Sequence, residues 1–159
     1  MNDILKLLEK DAHLTPEMIS SMLKKETGDI KKYIDECEKD GTIVGYQAIV
    51  DWDKTDREYV TALIELKITP QRELGFDRVA EKIYNYPEVQ AVYLMSGAYD
   101  LSVLIEGKTM KEVAFFVSQK LAPIDAVIST ATHFVLHKYK DTGVIYDANA
   151  DIDERGNCN

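Results

Sequence analysis

The sequence predicts an α+β fold, an N-terminal winged helix-turn-helix joined by a connecting strand to a ferredoxin-like βαββαβ plait. Three observations carry this expectation. Apolar residues recur at helical spacing in three short segments of the first forty residues. Strict two-residue alternation marks Val60 to Ile68. Two amphipathic helical segments, each followed by a β-rich run, then fill most of the remaining chain.

In the first segment, Ile4, Leu5, Leu7 and Leu8 put apolar groups on one helix face that ends near Asp11. Thr15 before Pro16 and Glu17 is a helix start, because Thr caps orphan amides and Pro at the first position loses no hydrogen bond. Ile19, Met22 and Leu23 supply that helix's apolar face. Thr27 is the expected cap of a third helix, with Ile30, Ile34 and Cys37 at helical spacing and Asp40-Gly41 at its end. Three short helices with a tight turn between the last two form a helix-turn-helix pattern.

Gly41 to Asp51 is rich in β-formers and reads as the connecting strand. The charged run Trp52 to Glu58 is a linker, giving expected boundaries of 1–51, 52–58, 59–140 and a polar tail over 141–159. Val60 to Ile68 is a strand stopped by Pro70. Phe76, Val79, Ala80 and Ile83 share a helix side closed by Asn85 and Pro87. Val89 to Met95 and Asp100 to Glu106 form a hairpin across Ser96-Gly97-Ala98-Tyr99. Thr109 caps a helix with apolar Met110, Val113, Ala114, Val117 and Leu121, and Val127 to His137 is the last strand. Both helices cover one sheet face. Val92, Leu94, Val103, Leu104 and Ile105 place apolar groups on both sides of the hairpin, so the other face is expected to meet a second copy across a two-fold axis.

Composition narrows the function classes. The 159 residues carry 19 Lys plus Arg against 28 Asp plus Glu, a net charge of −9 that opposes unspecific adhesion to nucleic acid or anionic membrane but allows a local basic patch. The start MNDILKLLEKD lacks the basic-then-apolar order of a signal peptide, and no apolar run approaches the roughly 20 residues of a span. A cytoplasmic chain without membrane partner is expected. Cys37 and Cys158, the two cysteines, make neither a disulfide framework nor a cysteine metal cage. His133 and His137 would lie about 13 Å apart along a strand, too far to share an ion. No HExxH, P-loop or GxGxxG sequence occurs, and Ser96-Gly97 lacks the surroundings of a nucleophile elbow, so no catalytic site is expected.

The run Glu38-Lys39-Asp40-Gly41-Thr42-Ile43-Val44-Gly45-Tyr46, the hairpin Met95-Ser96-Gly97-Ala98-Tyr99-Asp100 and the strand Ser129-Thr130-Ala131-Thr132-His133-Phe134-Val135-Leu136 together resemble the Lrp/AsnC (feast/famine) transcription regulators. The resemblance runs from about Ile4 to about Lys140. It implies a RAM domain that dimerises through its sheet and often builds tetramers or octamers. It also implies operator binding to double-stranded DNA by the N-terminal module. Small effectors, usually amino acids, would bind at contacts between C-terminal domains, with no other cofactor.

On this reading the DNA-facing candidates are Lys24 and Lys25, the turn Thr27, Gly28 and Asp29, and Lys31, Lys32 and Tyr33 on the third helix. The helix departs from the family's basic pattern at Asp35 and Glu36, and residues 1–50 hold seven Lys and no Arg against ten Asp or Glu, a net −3. Lys31 with Asp35 and Lys32 with Glu36 also fit a plain salt-bridged face. The effector candidates are Ser96, Gly97, Ala98, Tyr99 and Asp100, with Thr130 and Thr132. The turn would offer amides to a carboxylate, Asp100 would accept from an ammonium, and the threonine hydroxyls would orient the ligand. A simple hairpin turn in which Asp100 bonds its own backbone is the alternative. Two other functions remain open, a ligand-sensing oligomer whose helical module docks a protein and an enzyme subunit with an allosteric plait.

Overall fold

A computed structural model describes residues 2–69 and 75–146. Backbone proximity divides the chain into two units, Met1–Val50 and Asp51–Asn159. Pro70, the expected stop of the first strand, and the part of the expected tail beyond Tyr146, with Cys158, lie outside the described residues.

The first unit contains α1 (Asn2–Lys10), α2 (Pro16–Leu23) and α3 (Thr27–Lys39). Ile4, Leu8, Ile19 and Ile30 are buried at their meeting point, with Leu7, Leu14, Leu23, Tyr33, Ile34 and Ile43 packed around them. Each of these buried isoleucines contributes about 2 kcal/mol by removal from water. Thr15 caps α2, its Oγ1 accepting from Met18 N at 3.3 Å. Met22 is exposed rather than part of the apolar face, because Ile19 and Leu23 already fill the stripe.

The turn into α3 is held by one serine. Ser20 O accepts from the Lys24 N–H at the left-handed end of α2 (φ 52), and Ser20 Oγ donates to Lys25 O at 2.6 Å. Glu26 is the residue flanking α3, without a side-chain cap bond, and Thr27 lies inside the helix instead of capping it. After α3 the backbone turns at Gly41 (φ +79), and Ile43 N donates to Cys37 O at 2.9 Å.

The expected connecting strand over 41–51 is not a strand, and no two-stranded wing occurs among the described residues. A ladder requires a partner backbone, and none among the described residues pairs with it. Val44, 96% exposed, shows how little of the segment is covered.

The second unit begins with a 3₁₀ turn, Trp52–Lys54, and continues as β1 (Val60–Ile68), α4 (Asp77–Tyr84), β2 (Val89–Leu94), β3 (Leu101–Gly107), α5 (Met110–Phe116) and β4 (Val127–Phe134). The sheet order is β2-β3-β1-β4, with every neighbouring pair antiparallel. This is the split βαβ plait. Ala62, Ile64, Leu66 and Ile68 of β1 are buried against Val79 and Ile83 of α4 and Val113 and Phe116 of α5. A π-helical turn, Val117–Leu121, continues α5. Met110 and Ala114 are exposed, and Phe116 takes the core place expected of them. The expected last strand stops at Phe134, and part of the expected tail instead forms a small hairpin, β5 (Lys140–Asp141) with β6 (Val144–Ile145), turning at Gly143 (φ +82).

Register decides which face each hairpin residue serves. Leu101, Val103 and Ile105 sit opposite Leu66, Ile64 and Ala62, so they face the helices. Val92 and Leu94, opposite Val103 and Leu101, share that side. Of the five residues expected to split between faces, only Leu104 is on the other one, opposite Leu63 and Ala91. That open face is mixed, with Glu65, Lys67, Ser102, Tyr93 and His133 around the Leu63–Leu104 pair. Among the described residues no helix is long and apolar enough to cross a membrane.

Candidate nucleic-acid interface and effector turn

At 3.6 residues per turn, Gly28, Lys32, Asp35 and Lys39 of α3 point away from buried Ile30 and Cys37, with Lys31 and Glu36 on the two flanks. This outward surface carries Lys31, Lys32 and Lys39 against Asp35 and Glu36, with exposed Asp29 and Glu38 at its margins. Lys39 was absent from the sequence candidates, although its seven-residue spacing from Lys32 carries the signal. Lys24, Lys25, Thr27, Gly28 and Asp29 cluster at the α2–α3 turn, where the first amides of α3 lack helical acceptors. Lys24, Lys25 and Asp29 are exposed there.

Lys32 Nζ stands 4.0 Å from Glu36 Oε1, with the side chains 77% and 59% exposed, a pair too wet to immobilise the lysine. Lys31 instead lies within electrostatic reach of Glu17 on α2, whose carboxyl is held below its ordinary range chiefly by backbone and Thr15 hydrogen bonds. Tyr33 differs from the other candidates on α3. It is half buried and packs on the Ile4–Ile30 cluster, where a hydrogen bond with Cys37 raises its phenol.

The effector candidates are not brought to one place within the chain. Met95 N donates to Asp100 O at 2.8 Å and closes the turn, leaving Ser96, Gly97 and Ala98 exposed. Asp100 N donates to Leu66 O at 2.9 Å. Its Oδ2 accepts from Ile68 N at 2.7 Å and its Oδ1 lies 3.4 Å from Lys67 Nζ. The carboxylate expected to meet a ligand ammonium is thus engaged by protein donors, and it bonds β1 rather than its own turn. Thr130 and Thr132 sit opposite Leu66 and Ile64, on the helix side of the sheet, whereas Lys67 beside Asp100 is on the open side. Thr130 and the start of β3 are separated by β1, about 10 Å across the sheet. Gly97 has ordinary φ, and an added Cβ would meet nothing within 4 Å, so its own chain does not demand glycine there.

His133 Nε2 lies 3.1 Å from Glu65 Oε2 on the open face, and the His137 ring stacks edge-on against Tyr139 at 4.3 Å. Among the described residues no group of three or more His, Cys, Asp or Glu could hold a metal ion.

The model of the Lrp/AsnC ligand binding domain matches residues 61–145. The uncharacterized HTH-type transcriptional regulator YugG of Bacillus subtilis (strain 168) is 47% identical over 150 residues, covering 94% of this chain and 90% of that one. The crystal structure of PH0061 matches with a TM-score of 0.75 at 23% identity, over 90% of this chain and 94% of the other. A transcriptional regulator from Neisseria meningitidis, NMB0573, solved as an L-Met complex, matches with a TM-score of 0.72 at 20% identity, over 91% and 93% of the two chains.

Proposed function

The chain belongs to the Lrp/AsnC family of transcriptional regulators, and on that premise we propose that it binds operator DNA sequence-specifically through α3 and senses an amino acid through its C-terminal unit. The observation that carries the DNA half is the outward face of α3. Lys31, Lys32 and Lys39 gather there although residues 1–50 are acidic overall. Lysines on a helix behind a short turn neutralise phosphates, and the α3 amides at Thr27 to Asp29 add a phosphate-binding end that Asp29 weakens. With no arginine in the first fifty residues, base reading falls to lysine and to backbone positioning.

The effector half rests on the exposed residues Ser96, Gly97 and Ala98 and on open space at Gly97, which suits close approach of a carboxylate. The N. meningitidis protein of like fold was solved with L-methionine, which favours an amino acid as the ligand class. Asp100 shapes the turn. Because it lies on the other sheet side from Thr130 and Thr132, these hydroxyls would serve a ligand only at a contact between copies. The active species is a cytoplasmic homodimer joined by the open sheet faces around Leu63 and Leu104, from which tetramers or octamers assemble.

A gel-shift titration with DNA upstream of the protein's own gene, with and without a panel of amino acids, tests both halves. A shift to the upstream fragment at protein concentrations that leave generic duplex free, altered by one amino acid, is the expected result. Equal binding to all duplexes would remove sequence specificity. Insensitivity to every amino acid would remove the effector class. The net −3 of the first fifty residues favours a second reading, in which the helical unit docks a protein; absence of any DNA shift would select it.

A further inference from the structure

A cleft of about 280 Å³ opens between the end of β3 and α5, walled by Val113, Phe115 and Phe116. Its polar rim is the Glu88–Lys120 pair, in which Lys120 Nζ donates to Glu88 Oε1 at 2.6 Å. The Lys120 ammonium also stands 4.9 Å from the Tyr86 ring centre and 5.4 Å from that of Phe116, two rings packed edge to face. One carboxylate and two aromatic rings therefore already recognise a primary ammonium here, supplied by the chain itself.

Two features mark the place as more than a surface ion pair. Glu88 Oε2 is shut off from solvent and has no hydrogen-bond partner, a condition that costs free energy and is relieved by a further N–H donor. Lys120 and neighbouring Gln119 sit on the π-helical turn Val117–Leu121, an uncommon geometry that concentrates at functional sites. Of the other two carboxylates in the lining, Glu106 is paired with Arg57 at 3.0 Å and Glu112 Oε2 accepts from Lys108 N at 2.8 Å, so Lys120 is left to Glu88. The hydrogen bond from Lys120 keeps Glu88 below its ordinary pKa, hence charged at neutral pH.

We propose that this cleft binds a small organic cation, a primary ammonium on a short apolar body. The ligand's ammonium replaces that of Lys120 against Glu88, and its body lies on the Phe115–Phe116 wall. Lys120, already 38% exposed, moves into water. The cleft lies at the Gly107 end of β3, about 20 Å along the strand from the Ser96–Asp100 turn, so it is independent of the amino acid site proposed there.

The test is calorimetric titration of the full chain with phenethylammonium chloride, with sodium phenylacetate as the anionic control of like shape. Glu88→Gln should weaken phenethylammonium at least tenfold, whereas Lys120→Met, which removes the internal competitor, should tighten it at least threefold. Gln119→Trp, an exposed substitution at the cleft mouth, should block binding and decides the matter if Glu88→Gln fails to fold. Phenylacetate should not bind. The proposal is overturned if phenethylammonium shows no binding at about 10 mM, well above the millimolar Kd of a weak small ligand. It is equally overturned if phenylacetate binds as well, if Lys120→Met does not tighten binding, or if Gln119→Trp leaves it unchanged.

Discussion

Asp100 Oδ2 accepts a 2.7 Å hydrogen bond from the backbone N–H of Ile68, tying the turn before β3 to the end of β1. Ile68 is the last residue of β1, and its amide would otherwise be left without this acceptor as the strand ends. The aspartate is 19% exposed, so the charge is dry enough for the bond to matter. Asp100→Ala should cost about 1.5–3 kcal/mol in urea unfolding, the range for a hydrogen bond to a charged group, and Asp100→Asn should restore part of it. Equal stability of wild type and Asp100→Ala would show that the turn does not depend on this tie.

Helix starts differ in their dependence on threonine. Thr109 Oγ1 accepts from Glu112 N at 3.2 Å, while Glu112 Oε2 accepts from Lys108 N at 2.8 Å. Thr109→Ala and Thr15→Ala should each destabilise by about 1 kcal/mol, and Thr27→Ala, inside α3, by much less. Chemical denaturation of the three variants separates the cases, and a Thr27→Ala loss equal to that of Thr15→Ala would return Thr27 to a capping role.

Burial, followed by the hydrogen bond to Asp53 at 2.8 Å, raises the Tyr59 phenol from 10.0 to about 12. The folded state therefore holds this proton more tightly than the unfolded state does. Its contribution is fully present below pH 10.0 and is lost as pH rises through about 12. Tyr59→Phe should lower stability at neutral pH and flatten the alkaline fall over that window. An unchanged alkaline profile in the variant would assign the fall to other groups.

The open sheet face should hold the dimer. Leu63 and Leu104 stand opposite each other at its apolar centre, so Leu63→Arg with Leu104→Arg places like charges where two copies would meet. Sedimentation at micromolar concentration should show a wild-type dimer and a folded monomeric variant. A wild-type monomer would remove the claim, and a dimeric double variant would move the interface elsewhere.

What could be read from the sequence was local. The Val60–Ile68 alternation located β1 and its buried face, and Thr15-Pro16 located the start of α2, because each signal is complete within a few residues. Properties set by distant partners were not legible in the same way. Val103, Leu104 and Ile105 are consecutive and equally apolar, and only pairing with β1 assigns the middle one to the open face. The same register separates Asp100 from Thr130 and Thr132. Segment 41–51 has strand composition but no ladder among the described residues, and the Ser20 bonds that hold the turn into α3 leave no local signature. Glu88 and Lys120 are 32 residues apart and meet across a π-helical turn that composition does not announce.

DNA binding through α3 is the central claim, and the dependence of duplex affinity on salt tests it most directly. Fluorescence anisotropy with the protein's own upstream DNA should give a linear fall of log affinity with log salt, about 0.9 in slope for each phosphate neutralised. Lys31→Ala with Lys32→Ala should weaken binding to every duplex and flatten the slope by about 1.8 per subunit, about 3.6 for a dimer, if each lysine neutralises one phosphate. Asp35→Lys with Glu36→Lys should tighten non-specific binding. Failure of the wild type to bind either its upstream DNA or generic duplex at about 50 mM salt, where charge contacts are strong, would contradict the claim.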